Sequence, residues 1–265
     1  MAQSVSLDSI IQSLVESSPP GELSEIVEDL SSVLPEETSS SIITQALENY
    51  IDKNCGIFSS SYIASEYNKS PHSTKYADFI GKKLFNIDLQ RQAAIDLEEF
   101  TPDVDYPEYY HELVSKLKEY GDKQYPSKFA FTVIPSPDDV KIIVIGQRLN
   151  KENFYTGQWK SVYSLKEKVL EGTIKIDIHY FEEGNVRLTY EDKVTNDVTM
   201  DARSIINTIN TTENNIAVKI VENFNDLNQR SFKNLRRLLP VTRSKINWGK
   251  AIGNYKLGSD VVNKK

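Results

Sequence analysis

The chain reads as an α+β protein: an N-terminal antiparallel helix bundle, an antiparallel meander of about five strands covered by one long helix, and an amphipathic C-terminal helix. Three stretches of pattern predict that order. Apolar residues recur at helical spacing through Tyr50; the period shortens to two from Phe129; it lengthens again after Asp201.

Element by element, Ile10, Ile11, Leu14 and Val15 mark a first helix that Ser18-Pro-Pro-Gly21 breaks. Leu23, Ile26, Val27, Leu30 and Leu34 mark a second, ending at Pro35, and Ile42, Ile43, Ala46, Leu47 and Tyr50 a third. Short connections make residues 1–54 a three-helix bundle. Residues 55–105 form an irregular intermediate region with short strands, where Leu84 to Leu89 alternates best. Pro107 suits the first turn of a connecting helix within 106–124, with Tyr110, Leu113, Leu117 and Tyr120 on one face and Gly121 closing it.

The sheet occupies 125–199. Phe129 to Ile134, Val140 to Gln147 and a stretch within Asn153 to Leu165 read as strands. Ile174, Ile176, Ile178 and Tyr180 alternate with polar residues, Glu182-Glu-Gly-Asn185 turns the chain, and Val186, Leu188 and Tyr190 alternate again, making a hairpin with one buried face. Residues 200–240 hold the long helix and a basic segment: Asp201 is the expected N-cap, and Ile205, Ile206, Ile209, Ile216, Ile220, Phe224 and Leu227 follow. Such a helix runs about 27 residues, or roughly 40 Å. A meander of this kind leaves two edges to be capped or paired, and pairing with another subunit is the expected solution.

Residues 241–265 complete a segment whose charge opposes the rest. From Leu227 to Lys265 the chain carries ten Lys and Arg against one acid, Asp260, so this stretch is +9 and the −7 of the whole leaves −16 for the body. Lys233, Arg236 and Arg237 share one helical face while Phe232, Leu235, Leu238 and Leu239 cover another. Pro240 ends that helix. Val241, Trp248, Ile252 and Tyr255 mark an apolar stripe on a second one, with Arg243 and Lys245 near its start, suited to a partner's groove. Gly249, Gly253 and Gly258 each cost about 1 kcal/mol relative to Ala, so that helix is marginal alone.

Much chemistry is absent from the pattern. A phosphate-binding loop, a dinucleotide fingerprint and a nucleophile elbow are all missing. His72, His111 and His179 are far apart, with Cys55 the single cysteine, so neither a metal site nor a disulfide framework is expected. Cys55 reads as a small buried apolar residue, His179 as solvated, and the acid pairs Glu98-Glu99 and Glu182-Glu183 as surface charge. The longest apolar runs fall short of a membrane span, and Met-Ala-Gln-Ser-Val-Ser lacks the features of a secretory signal. The expectation is a non-enzymatic cytoplasmic protein without cofactors.

Several blocks then occur together: Asn153-Phe-Tyr-Thr-Gly-Gln-Trp-Lys-Ser161, His179-Tyr-Phe-Glu-Glu-Gly-Asn-Val186, and Leu235-Arg-Arg-x-Leu-Pro-Val-Thr-Arg-x-Lys-Ile-x-Trp248, with Pro19-Pro-Gly-Glu22 and Tyr125-Pro. On these the chain resembles the alpha subunits of F-actin capping protein over nearly its whole length. The resemblance implies a heterodimer with a similarly folded beta subunit that continues the sheet. It also implies calcium-independent capping of filament barbed ends without hydrolysis, a C-terminal tentacle, the actin cytoskeleton as location, and phosphoinositides and capping regulators as further partners. It carries actin contact onto Lys233, Arg237 and Arg243, with Arg236 as helper and Trp248, Ile252 and Tyr255 on the tentacle. Trp248 packing on the protein's own sheet remains open, and Tyr155 and Trp159 are assigned to the core or subunit interface. The alternative reading is a module for anionic phospholipid or another acidic surface. Nucleic acid fits poorly, because the body is acidic and its aromatics do not form a stacking platform.

Overall fold

The computed structural model describes residues 6–34, 36–59, 61–71, 73–89, 91–125, 127–136, 139–182, 184–227 and 229. Three helices, α1 (Leu7–Glu16), α2 (Leu23–Val33) and α3 (Glu36–Asn54), pack around Ile11, Val15, Leu23, Ile43, Ala46 and Leu47. The Ser6 hydroxyl opens α1 by accepting from the Ser9 amide at 3.2 Å, satisfying one of the donors a helix start leaves free.

Two small sheets follow. β1 (Gly56–Phe58) pairs with β2 (Tyr62–Ala64), and β3 (Tyr76–Asp78), β4 (Lys83–Asp88) and β5 (Ala93–Glu99) form an antiparallel trio. The alternation at Leu84 to Leu89 is β4; its neighbours were hidden because their strands are as short as three residues or, in β5, interrupted. Asp96 takes a left-handed φ of 52°, and the β4–β5 register shifts between Leu84 and Asn86.

Next, α4 (Tyr110–Gln124) leads into a five-stranded antiparallel sheet of order β10-β9-β8-β7-β6, made of β6 (Lys128–Ile134), β7 (Val140–Asn150), β8 (Tyr155–Lys166), β9 (Val169–Tyr180) and β10 (Val186–Asp197). The α+β class and the meander are thus the observed architecture. The hairpin is in the expected register, with Val186 opposite Tyr180 and Leu188 opposite Ile178. One expectation fails: Gly121 does not close α4, which continues to Gln124. Gly121 instead makes room, since a Cβ there would meet the Phe129 ring at 1.8 Å.

The long helix α5 (Ala202–Leu227) and α4 cover one face of the sheet. Ile205, Ile209, Ile216 and Ile220 of α5 join Leu113 and Leu117 of α4 above Ile142, Val144, Tyr163, Ile174 and Ile176. Asp201 caps α5 as expected, accepting from the Ser204 amide at 2.8 Å, and the Ser204 hydroxyl accepts in return from the Thr199 amide. The other face is covered by β1 and β2, where Ile57 and Ile63 pack on Ile143 and Ile145, and by the α1–α2 connection. Alternate residues of one strand therefore enter two different cores, which explains why β7 is buried without interruption from Ile142 to Gly146.

Gly146, on the α5 face of β7, lies under Tyr125, whose ring a Cβ would meet at 2.1 Å. We expect Gly146→Ala to lower stability by about 1 to 3 kcal/mol through overpacking, read as a lower denaturation midpoint with unchanged slope.

Candidate functional site

All seven residues singled out for contact, Lys233, Arg236, Arg237, Arg243, Trp248, Ile252 and Tyr255, lie outside the described residues. What the structure does place is the body that precedes them in the chain, and three features of it bear on function: two polar joints and one open flank.

The first joint ties the helix bundle to the sheet. Gly21 takes φ +83° and passes over Leu149, whose Cδ2 lies 2.6 Å from where a Cβ would sit. This turn delivers Glu22, the residue capping α2, whose carboxylate does not bond its own helix. Instead Oε1 accepts from the Thr156 hydroxyl at 2.8 Å and lies 2.7 Å from His179 Nδ1, while His179 Nε2 lies 2.8 Å from Asn185 Oδ1. Arg187, beside His179 on β10, donates to both oxygens of Asp177 at 2.8 and 2.6 Å and also to the carbonyls of Ser17 and Ser18. His179 is therefore not solvated: it is 8% exposed, because the α1–α2 connection folds over the strand face on which it stands. Strand alternation shows which face a residue occupies, and only the tertiary fold shows what covers that face.

The second joint is inside the α5 core. Glu213, 0% exposed, accepts from Tyr120 at 2.6 Å and Tyr125 at 2.7 Å on one oxygen, and from Ser161 at 2.7 Å and Tyr163 at 3.2 Å on the other. The Ser161 hydroxyl accepts from the Trp159 indole at 2.9 Å. Burial first, and then the Glu213 charge, raise the phenols of Tyr120, Tyr125 and Tyr163 above their ordinary values, so all three remain hydroxyl donors. Trp159 thus belongs to the core. The two joints absorb four of the sequence blocks quoted above: Pro19 to Glu22 meets His179 to Val186 in one, and Tyr125 meets Trp159 and Ser161 in the other.

The flank is β10 with the adjacent side of α5. Among the described residues β10 pairs with β9 alone, and none of its twelve residues is buried. Ser204, Thr208, Thr211 and Asn215 run along α5 beside it, above Asn196 and Asp197, and Val218 of α5 is 57% exposed. On the bundle, Leu7, Ile10 and Leu14 make an exposed apolar stripe on α1, each at least 44% exposed. Apolar stripes of this size on a helix ordinarily meet another surface. Cys55 is buried, with its thiol pushed up to about 11 by that burial. Among the described residues no cluster of His, Cys, Asp and Glu is arranged to hold a metal ion, and no helix is long and apolar enough to cross a membrane.

Three comparisons bear on what this body is. The family model described as "F-actin capping protein alpha subunit" matches residues 11–260. A protein of Debaryomyces hansenii named F-actin-capping protein subunit alpha is 60% identical over 266 residues, covering 100% of both chains. Its namesake in Saccharomyces cerevisiae is 36% identical over 265 residues, covering 96% of this chain and 97% of the other. A solved structure of the homodimeric actin capping protein alpha subunit from Plasmodium berghei superposes with TM-score 0.74 at 22% identity, covering 89% of this chain and 98% of that one, and shows the same fold.

Two outcomes are expected of the joints. Glu22→Ala leaves His179 and Thr156 without their shared acceptor; amide exchange in α1 and α2 should quicken while β7 to β9 keep their protection, at a cost of about 1 to 3 kcal/mol. Cys55 should resist a thiol reagent at pH 8 in the folded protein and react once denaturant is added.

Proposed function

The chain belongs to the F-actin capping protein alpha subunit family, and from that premise we propose that it is the alpha half of a heterodimer that caps filament barbed ends. Members of this family are named for capping, not for catalysis. In this reading β10 extends its sheet into that of a beta subunit, α5 lies beside the partner's long helix, and Leu7, Ile10 and Leu14 of α1 are covered in the same assembly. The observation that carries it is the match along residues 11–260, which extends from the bundle through the basic segment.

Lys233, Arg237 and Arg243, helped by Arg236, make the first contact with the filament end. Exposed basic pairs contribute only about 0 to 1 kcal/mol each, but they speed approach to an acidic surface and set the register on it. The tentacle with Trp248, Ile252 and Tyr255 then fastens the complex by apolar burial, without calcium. Phosphoinositides and capping regulators compete for the same basic surface, and the protein works in the cytoplasm on the actin cytoskeleton. The relative from Plasmodium berghei is a homodimer, which makes pairing of two copies of this chain the alternative to a beta partner.

Changing Lys233, Arg237 and Arg243 together to Ala should slow capping in a seeded elongation assay about tenfold or more while the copurified heterodimer stays intact. Unaltered capping would remove the three residues from the contact. Copurification from the native source should return a second, different chain; recovery of this chain only with itself would favour the homodimer.

A further inference from the structure

Glu213 stands near the middle of α5, with 14 residues from it to Leu227, the end of the helix. Its four hydroxyl partners come from α4, the α4–β6 connection and β8. The other contacts of α5 with the sheet are aliphatic, or polar and nearer the surface, as from Asn196 to Thr212 at 3.3 Å and from Lys219 to Asp192 at 3.0 Å; ridges of isoleucine tolerate neighbouring settings. Four O–H···O bonds to one carboxylate do not: a shift of one residue moves the group by about 1.5 Å along the axis and turns it by about 100°, which breaks all of them. Burying a carboxylate is also a poor way to gain stability alone, since a well-packed apolar side chain serves at least as well. The arrangement is better suited to fixing geometry.

Beyond Glu213, Ile216 and Ile220 are buried, and Lys219 donates to Asp192 of β10 at 3.0 Å. The remaining length from the pin is about 21 Å, so a tilt of about 10° there displaces the helix end by roughly 4 Å. The basic segment departs from that end.

We infer that Glu213, through Tyr120, Tyr125, Ser161 and Tyr163, is a positioning residue for capping: it sets the angle and height of α5 over the sheet, and with them the point from which Lys233 to Arg243 meet the filament. This rests on the capping role proposed above. Glu213 itself is 0% exposed and offers no surface to the filament.

The test uses the heterodimer with its partner chain, in three forms: parent, Glu213→Gln, and Ile209→Val as a control for simple loss of core stability. Spin labels at Asn223→Cys and Lys168→Cys, in a Cys55→Ala background, report the angle of α5, and filament elongation reports capping. Gln accepts two of the four hydroxyls and leaves the others without an acceptor. The expected result is a broadened or shifted label distance for Glu213→Gln together with capping dissociation about tenfold faster, while Ile209→Val lowers the melting temperature with the distance and the rate unchanged. If Glu213→Gln does not fold, Ser161→Ala and Tyr163→Phe each remove one donor and should give a smaller change of the same kind. An unchanged label distance, or a capping rate no different from that of Ile209→Val, would overturn the inference. The label distance is read without actin, so failure of the parent to cap would instead sink the capping role and leave the positioning of α5 to stand or fall on its own measurement.

Discussion

A carboxylate with no surface in water must be surrounded by donors, and meeting that requirement ties the upper half of this protein together. Glu213 draws its donors from three separate stretches of chain, so α4, the connection at Tyr125 and strand β8 can each occupy only a narrow range of positions once α5 is down. The glycines follow from this. Tyr125 reaches Glu213 by lying across β7, which is why position 146 has no side chain, and Phe129 presses on α4, which is why position 121 has none. Apolar burial supplies most of the driving force for closing α5 on the sheet, while the polar cage selects which closed arrangement is reached.

The opposite face of the sheet solves a different problem. There the bundle is joined by a short connection, not by a broad apolar layer, and charge replaces area: Glu22, Asp177, His179 and Arg187 each have their partners within the joint. Lys160, 8% exposed on the same face, donates to the carbonyl of Lys53 at 3.2 Å, close to the last turn of α3 where a helix leaves its acceptors unpaired. Burial lowers the pKa of that ammonium, the cost of holding it there. One sheet therefore carries a face whose core anchors a long helix, and an opposite face on which a second apolar core takes β1 and β2 while a polar joint orients the bundle.

These features differ in how far they could be read from sequence. The hairpin of β9 and β10 was legible because one of its faces is buried and the other is not, so the pattern shows directly as alternation. Helix α5 was legible by its isoleucines, with Asp201 placed correctly as its cap. Glu213 was not. Its only trace was a gap: the stripe runs Ile205, Ile209, Ile216, Ile220, and the turn between Ile209 and Ile216 holds Thr212 and Glu213 on the buried side instead of an aliphatic residue. A polar residue in phase with an apolar stripe marks a buried polar group, but its partners lie between 50 and 93 residues away and no local pattern reaches them. His179 was misread for the same reason, since Glu22 is 157 residues distant. Strands of three residues such as β1 to β3 are too short for a period to show.

The family resemblance carried by the sequence blocks divides along this line. Pro19 to Glu22, Tyr125, the stretch through Trp159 and Ser161, and His179 to Val186 all lie in joints, where their side chains bond to other parts of the same chain. Those residue types are demanded by geometry: a left-handed turn, a ring over a bare strand, an acid among hydroxyls. The block from Leu235 to Trp248 is different in kind, being rich in charge that no fold requires to be buried. The joints fix how the bundle, α4 and α5 sit on one sheet, and that orientation is what the matching blocks of the body have in common.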